Sequence, residues 1–145
     1  MDLSSTFQVC TIDPMDSTDL SSFKPLYLKT AREHIQTLKD VFLQLKTLPT
    51  DFGLLEKAYI ASHSLRGESM AIGFMSTGSL CLILERIFHN LKEGTLMITP
   101  SLQGTLQEAV DKLEESIDCI EKENKEPVLN ETLLSLEQAS GIKSS

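Results

Sequence analysis

The 145-residue sequence has no tryptophan, only 6% aromatic residues, 7 glycines and 5 prolines. So little punctuation across so much leucine and isoleucine argues against a β-sandwich or barrel, which needs turns at close spacing. Long apolar runs are also missing. The longest, Leu80–Leu84, is far below the roughly 20 residues that a membrane-spanning helix requires. The opening Met1-Asp2-Leu3-Ser4-Ser5 lacks the basic and apolar regions of a signal peptide. Positive charge is short as well: 13 Lys+Arg stand against 21 Asp+Glu, for a net charge of -8. Nucleic acid and anionic membrane both need a basic face, so neither is expected as a partner. The three cysteines, Cys10, Cys81 and Cys119, are widely spaced and form no CxxC, so a structural zinc site has no ligand spacing to stand on. They suit reduced thiols in a cytoplasmic protein. No Glu-x-x-His pair occurs anywhere, which excludes a di-iron bundle enzyme.

What is present is the balance of a soluble globular domain, 41% hydrophobic and 23% charged, with length for one domain and a sizeable core. Residues 1–20, rich in Ser, Thr and Asp, read as a flexible leader. A first amphipathic helix then follows from Ser21 or Ser22 as cap, with Pro25 in its first turn. Its apolar stripe is Phe23, Tyr27, Ala31, Ile35 or His34, Leu38, Phe42 or Val41, Leu45 and Leu48. A second starts near Asp51, buries Leu54, Leu55, Ala58, Leu65, Ser69 and Ile72, and closes at Gly73. A third spans Ser76 to Lys92 with Leu80, Cys81, Leu84, Ile87, Phe88 and Leu91 inward, and ends at Gly94. Thr99-Pro100, a cap followed by proline at the first helical position, opens a fourth. Leu102, Leu106, Leu113, Ile117 and Ile120 form its stripe, and the run Glu121–Glu126 reads as a solvated end. A short fifth helix covers Asn130 to about Ala139, using Leu133, Leu134 and Leu136. The expected fold is all-α, an antiparallel up-down-up-down four-helix bundle over residues 21–140 with a short fifth C-terminal helix. Residues 141–145 read as a tail or the start of a linker.

A bundle is a scaffold, so function has to come from a site on it. His63 lies off the buried stripe of the second helix, and its imidazole is expected at the surface. Arg66 and Gly67 follow at i+3 and i+4 and border the same face. A glycine inside a helix costs about 1 kcal/mol relative to alanine; here it would let another protein approach the imidazole closely. Arg66 adds a fixed cation with several donors, suited to phosphoryl oxygens. A neutral imidazole is a competent nucleophile near pH 7. Glu85, on the third helix, has two candidate partners, His63 and His89. Met70, Met75 and Met97 read most simply as core and loop filler.

The stretch His63-Ser64-Leu65-Arg66-Gly67, with Gly73 six residues on, resembles the H-x-[LI]-[KR]-G-x-x-x-x-x-G signature of histidine phosphotransfer (HPt) domains. It is most similar to the HPt domains that open chemotaxis kinases of the CheA type. Leu84-Glu85-Arg86 and Leu91-Lys92-Glu93-Gly94 resemble the adjacent helix of that family, and the likeness covers roughly residues 22 to 140. The resemblance implies that His63 is phosphorylated, that Arg66 contacts the phosphoryl group, and that Glu85 accepts a hydrogen bond from the other ring nitrogen. Gly67, Ser64, Glu68 and Met70 would then form the partner-docking surface. Glu68 stands where a small residue is usual and would add negative charge near an incoming phosphate, and Leu82 stands where many CheA proteins have a second histidine. The implied partners are the ATP-binding domain of a histidine kinase and a response-regulator receiver domain. Mg and ATP would come with those partners, this chain holding no cofactor or metal and acting as a monomer. A degenerate HPt fold that docks partners without carrying phosphate is the alternative.

Overall fold

A computed structural model describes residues 17–143, with side chains from Ser22 onward. Most of the expected leader, including Cys10, and the last two residues of the tail lie outside the described residues. Five helices follow one another: α1 (Ser17–Leu45), α2 (Phe52–Ala71), α3 (Met75–Glu93), α4 (Pro100–Glu123) and α5 (Asn130–Ser140). Among the described residues there is no strand.

Local chemistry sets most of the ends. Asp51 caps α2 by accepting from the Leu54 amide at 3.0 Å, and Thr99 caps α4 by accepting from Leu102 at 3.1 Å. Pro100 takes the first position of α4, where its missing N–H would have had no intrahelical partner. After α2 the chain turns at Gly73, φ 99°, and the Phe74 amide reaches back to the Ser69 carbonyl at 2.8 Å. A Cβ is disfavoured at that φ, so the glycine is needed to turn the chain back for α3.

Cross-helix pairs show the antiparallel order. Along α1 and α4, Lys24 meets Glu121, Arg32 meets Asp118 and Lys39 meets Glu114. Tyr27 meets Ser69 of α2 through a buried 2.7 Å hydrogen bond, and His34 meets Glu68. Between α2 and α3, Glu56 pairs with Lys92 and Arg66 with Glu85. The helices thus close a ring in which α1 touches α2 and α4, α3 touches the same two, and α5 lies against α3 and α4. This is the expected all-α bundle with its short fifth helix.

The core runs the length of the ring. Leu38, Leu45, Leu65, Leu80, Ile83, Leu84, Ile87, Phe88, Leu102, Leu106, Leu113 and Ile117 are among its largest fully buried side chains, each worth about 1.5–3 kcal/mol in transfer from water. Helix α3 is covered on three sides, by α2, α4 and α5. Its buried face is correspondingly wide, and it includes Ile83, Thr77 and Gly78 outside the expected stripe.

Four expectations are corrected. Helix α1 starts at Ser17, so Pro25 lies inside it and not in its first turn; the turns that follow hold it through buried Tyr27 and Ala31. Phe23 and Leu48, at the two ends of the α1 stripe, are each 52% exposed. In α5, Leu134 faces out while Thr132 and Leu136 are buried, because only one narrow side of that helix meets the bundle. The end of the acidic run is not simply solvated. Glu126 accepts from the amides of Ser76 at 3.0 Å and Thr77 at 2.7 Å, and from the Thr77 hydroxyl at 2.6 Å. Phe74 offers no side-chain cap, so this carboxylate supplies the N-terminal cap of α3 from about fifty positions along the chain.

Candidate functional site

Helix α2 buries Leu55, Ala58, Ala61, Ser62, Leu65 and Ser69 and turns His63 outward, its side chain 55% exposed. Arg66, one turn on, is 26% exposed, and Glu85 reaches across from α3 and is 15% exposed. The three side chains meet. Arg66 Nε donates to Glu85 Oε1 at 2.6 Å, and Arg66 Nη2 donates to His63 Nδ1 at 3.1 Å. His63 Nδ1 lies 3.3 Å from the same Glu85 oxygen. His89, the other candidate partner of Glu85, is instead placed against the Tyr59 ring, at 6.2 Å between centroids.

Because Nδ1 is turned toward Arg66 and Glu85, Nε2 is the nitrogen that faces outward. It has no hydrogen-bond partner among the described residues. Gly67, the next residue on that side, is exposed, and a Cβ built on it would meet nothing within 4 Å. Its absent side chain is therefore not filled by packing, and it leaves a gap beside the imidazole. The packing glycine of this region is Gly78 on α3, where a Cβ would come within 2.5 Å of Met70 Cγ. Met70 is thus seated on α3, half-buried. Ser64 is half-buried as well.

Glu68 is directed elsewhere. It accepts from the Thr30 hydroxyl at 3.0 Å and lies 3.4 Å from His34 Nε2. Five residues at 100° each bring it about 140° round the helix from His63, so its charge faces α1. Leu82, half-buried on α3, brings no polar group to the cluster. Tyr59, one turn before His63, is the neighbour that the sequence reading left without a role. Its ring stacks on the imidazole, with centroids 6.1 Å apart and an interplanar angle of 15°. Lys92 Nζ stands 4.3 Å over the Tyr59 ring and pairs with Glu56. The i, i+4 spacing of Tyr59 and His63 was the available signal.

Beneath this surface, Cys81 is fully buried one turn before Glu85. Burial pushes its thiol well above the ordinary range, and the nearby Arg66 charge offsets this only in part, so it stays protonated and inert. Tyr27 is raised in the same way, burial outweighing its bond to Ser69. Among the described residues no group of His, Cys, Asp and Glu is arranged to hold a metal ion, and no helix is long and apolar enough to cross a membrane.

An exposed histidine beside an open glycine, with an arginine and a carboxylate at its inner nitrogen, can be compared with known proteins. The family model of the Hpt domain matches residues 23–116. The chain belongs to the Hpt domain family. Chemotaxis protein CheA of Bacillus subtilis (strain 168) is 28% identical over 102 residues, 70% of this chain and 15% of that protein. Its counterpart in Listeria monocytogenes serovar 1/2a is 27% identical over 96 residues, 66% of this chain and 16% of that protein. This chain therefore spans about 15% of the length of those curated relatives. Among solved structures, the histidine phosphotransfer domain of CheA in solution superposes with a TM-score of 0.75 at 25% identity, over 82% of this chain and 90% of that one. The CheA phosphotransferase domain from Thermotoga maritima gives 0.66 at 29% identity, over 70% and 96%. The matched segment of this Hpt domain holds all of His63, Arg66, Gly67 and Glu85.

Proposed function

We propose that this chain is a phosphoryl carrier of a chemotaxis-type phosphorelay, with His63 as the carrying residue. The observation that supports this most is the outward Nε2 of His63 beside the unfilled space at Gly67, with Nδ1 held from within by groups of α2 and α3. A kinase domain holding ATP presents the γ-phosphoryl to Nε2. The Nε2 lone pair forms the N–P bond while the bond from the γ-phosphorus to the β,γ-bridging oxygen breaks, and ADP leaves with that electron pair. Attack needs the tautomer with its proton on Nδ1; that proton stays on the ring, and Glu85 offsets the imidazolium charge that develops. Arg66 faces the equatorial oxygens as a fixed cation. In the second step a receiver aspartate displaces Nε2 from phosphorus, the N–P electrons return to the ring, and an acyl phosphate forms. ATP, its metal and the acid and base groups of either reaction belong to the partners, so the isolated chain is a substrate and carrier without turnover of its own.

The test is phosphorylation by a CheA-type kinase core with γ-labelled ATP, wild type beside His63→Gln. Acid-labile, alkali-stable label on the wild type and none on a variant of unchanged helical content supports the reading. Label retained by the variant assigns the phosphoryl group to another residue. A folded wild type that no kinase core labels makes the chain a docking module.

A further inference from the structure

Nδ1 of His63 has two approaches and they make opposite demands. Glu85 can only accept there, and Arg66 can only donate. Of the two, Arg66 Nη2 has hydrogen-bond geometry at 3.1 Å, whereas Glu85 Oε1 at 3.3 Å stands at ion-pair distance. The same carboxylate oxygen is already taken by Arg66 Nε at 2.6 Å. One guanidinium therefore holds the carboxylate with one nitrogen and the imidazole with another.

We infer that Arg66 is a positioning residue that decides which nitrogen of His63 carries the proton, and that in the resting protein it holds the unreactive tautomer. With Nη2 donating, Nδ1 is an acceptor and the proton of the neutral ring sits on Nε2. The electron pair of that outward nitrogen then belongs to the ring π-system and cannot attack phosphorus. When Nη2 leaves, Nδ1 takes the proton and donates to Glu85, and Nε2 presents a free lone pair. The change moves one proton between the ring nitrogens through solvent and alters no net charge. Arg66 can leave by a short swing, because Nε anchors it to Glu85 while Nη2 departs. The incentive is at hand: an incoming phosphoryl group is an anion, and it competes for the same N–H groups. The fork that keeps His63 quiet is thus the one that meets the phosphate. A lysine ammonium is a single point of charge and cannot hold Glu85 through one nitrogen and Nδ1 through another.

This inference rests on the carrier role of His63 but is read without ATP or a partner. The experiment is the ¹⁵N spectrum of histidine in the unphosphorylated protein, above the pH at which the ring is protonated, for wild type, Arg66→Ala and Glu85→Ala. The wild type is expected mainly as the Nε2–H tautomer. Arg66→Ala, which leaves Glu85 as the only partner of Nδ1, should lower the Nε2–H to Nδ1–H ratio by about fivefold, the worth of one net hydrogen bond. Glu85→Ala should leave the wild-type tautomer in place or strengthen it. A wild type already on Nδ1–H, or a ratio that Arg66→Ala does not move, overturns the inference. A tautomer shift in a protein that kinase cores fail to label would leave the arginine's role standing while removing the carrier role.

Discussion

The outer faces of the bundle treat charge in two ways. On the seam between α1 and α4, each cation has an acceptor of its own. Lys24 reaches the Glu121 main-chain carbonyl and Asn124 Oδ1, Arg32 takes the carboxylates of Asp118 and Glu121, and Lys39 takes Glu114. On the face formed by α2 and α3, one guanidinium, Arg66, serves both Glu85 and His63, and Gly67 leaves the space beside them empty. The first arrangement is complete as it stands. In the second, a single carboxylate and a single guanidinium are divided among three groups, and a gap is left beside them. The lesson is that a functional face is recognised less by the number of its charges than by the mismatch among them.

Substitutions on each side sharpen that contrast. The largest effect is expected at the gap. A Cβ at Gly67 meets nothing within 4 Å, so Gly67→Leu should raise stability by up to about 1 kcal/mol through helix propensity. A side chain beside His63 should nonetheless slow phosphoryl transfer to a receiver domain by roughly a hundredfold, since small misplacements of reacting groups are costly. Paired denaturation and stopped-flow measurements would show the opposite signs; equal transfer rates would mean that partners do not approach over Gly67. An intermediate effect is expected away from both faces. Glu126→Ala removes the cap of α3 and should cost about 1–2 kcal/mol in urea unfolding at unchanged m-value. The smallest belongs to the complete seam. Arg32, 42% exposed in its pairs, should lose less than about 1 kcal/mol on change to alanine, with phosphorylation unaffected. A larger loss there would erase the distinction between the two faces.

Much of this was legible in the chain itself. All five helices follow from their period, and Asp51, Thr99-Pro100, Gly73 and Gly94 carry the boundary signals of α2, α3 and α4 within a turn. The grouping of His63, Arg66 and Gly67 is equally local, being a matter of i, i+3 and i+4. What escaped depends on neighbours. A stripe states which side of a helix is apolar but not how far along it a partner extends, so Phe23 and Leu48 were assigned to the core and Ile83 was not. Glu68 stands inside the motif, next to Gly67, and still faces α1. Glu126 caps a helix that begins fifty positions earlier, and no window of sequence contains both ends of that bond. The joining of Glu85 and His63 by one guanidinium is likewise a property of two helices together.

The Glu126 cap also acts as a mechanical stop. Three hydrogen bonds grip the first residues of α3, and a helix resists compression along its axis far better than its side chains resist bending. Sliding α3 along its axis past the segment that joins α4 to α5 would break all three bonds at once. Glu85 sits about 12 Å farther along the same rod, at 1.5 Å per residue, so its position along the bundle axis is referred to a fixed point two turns away. The segment that joins α4 to α5 thereby works as a length gauge for a site it never touches.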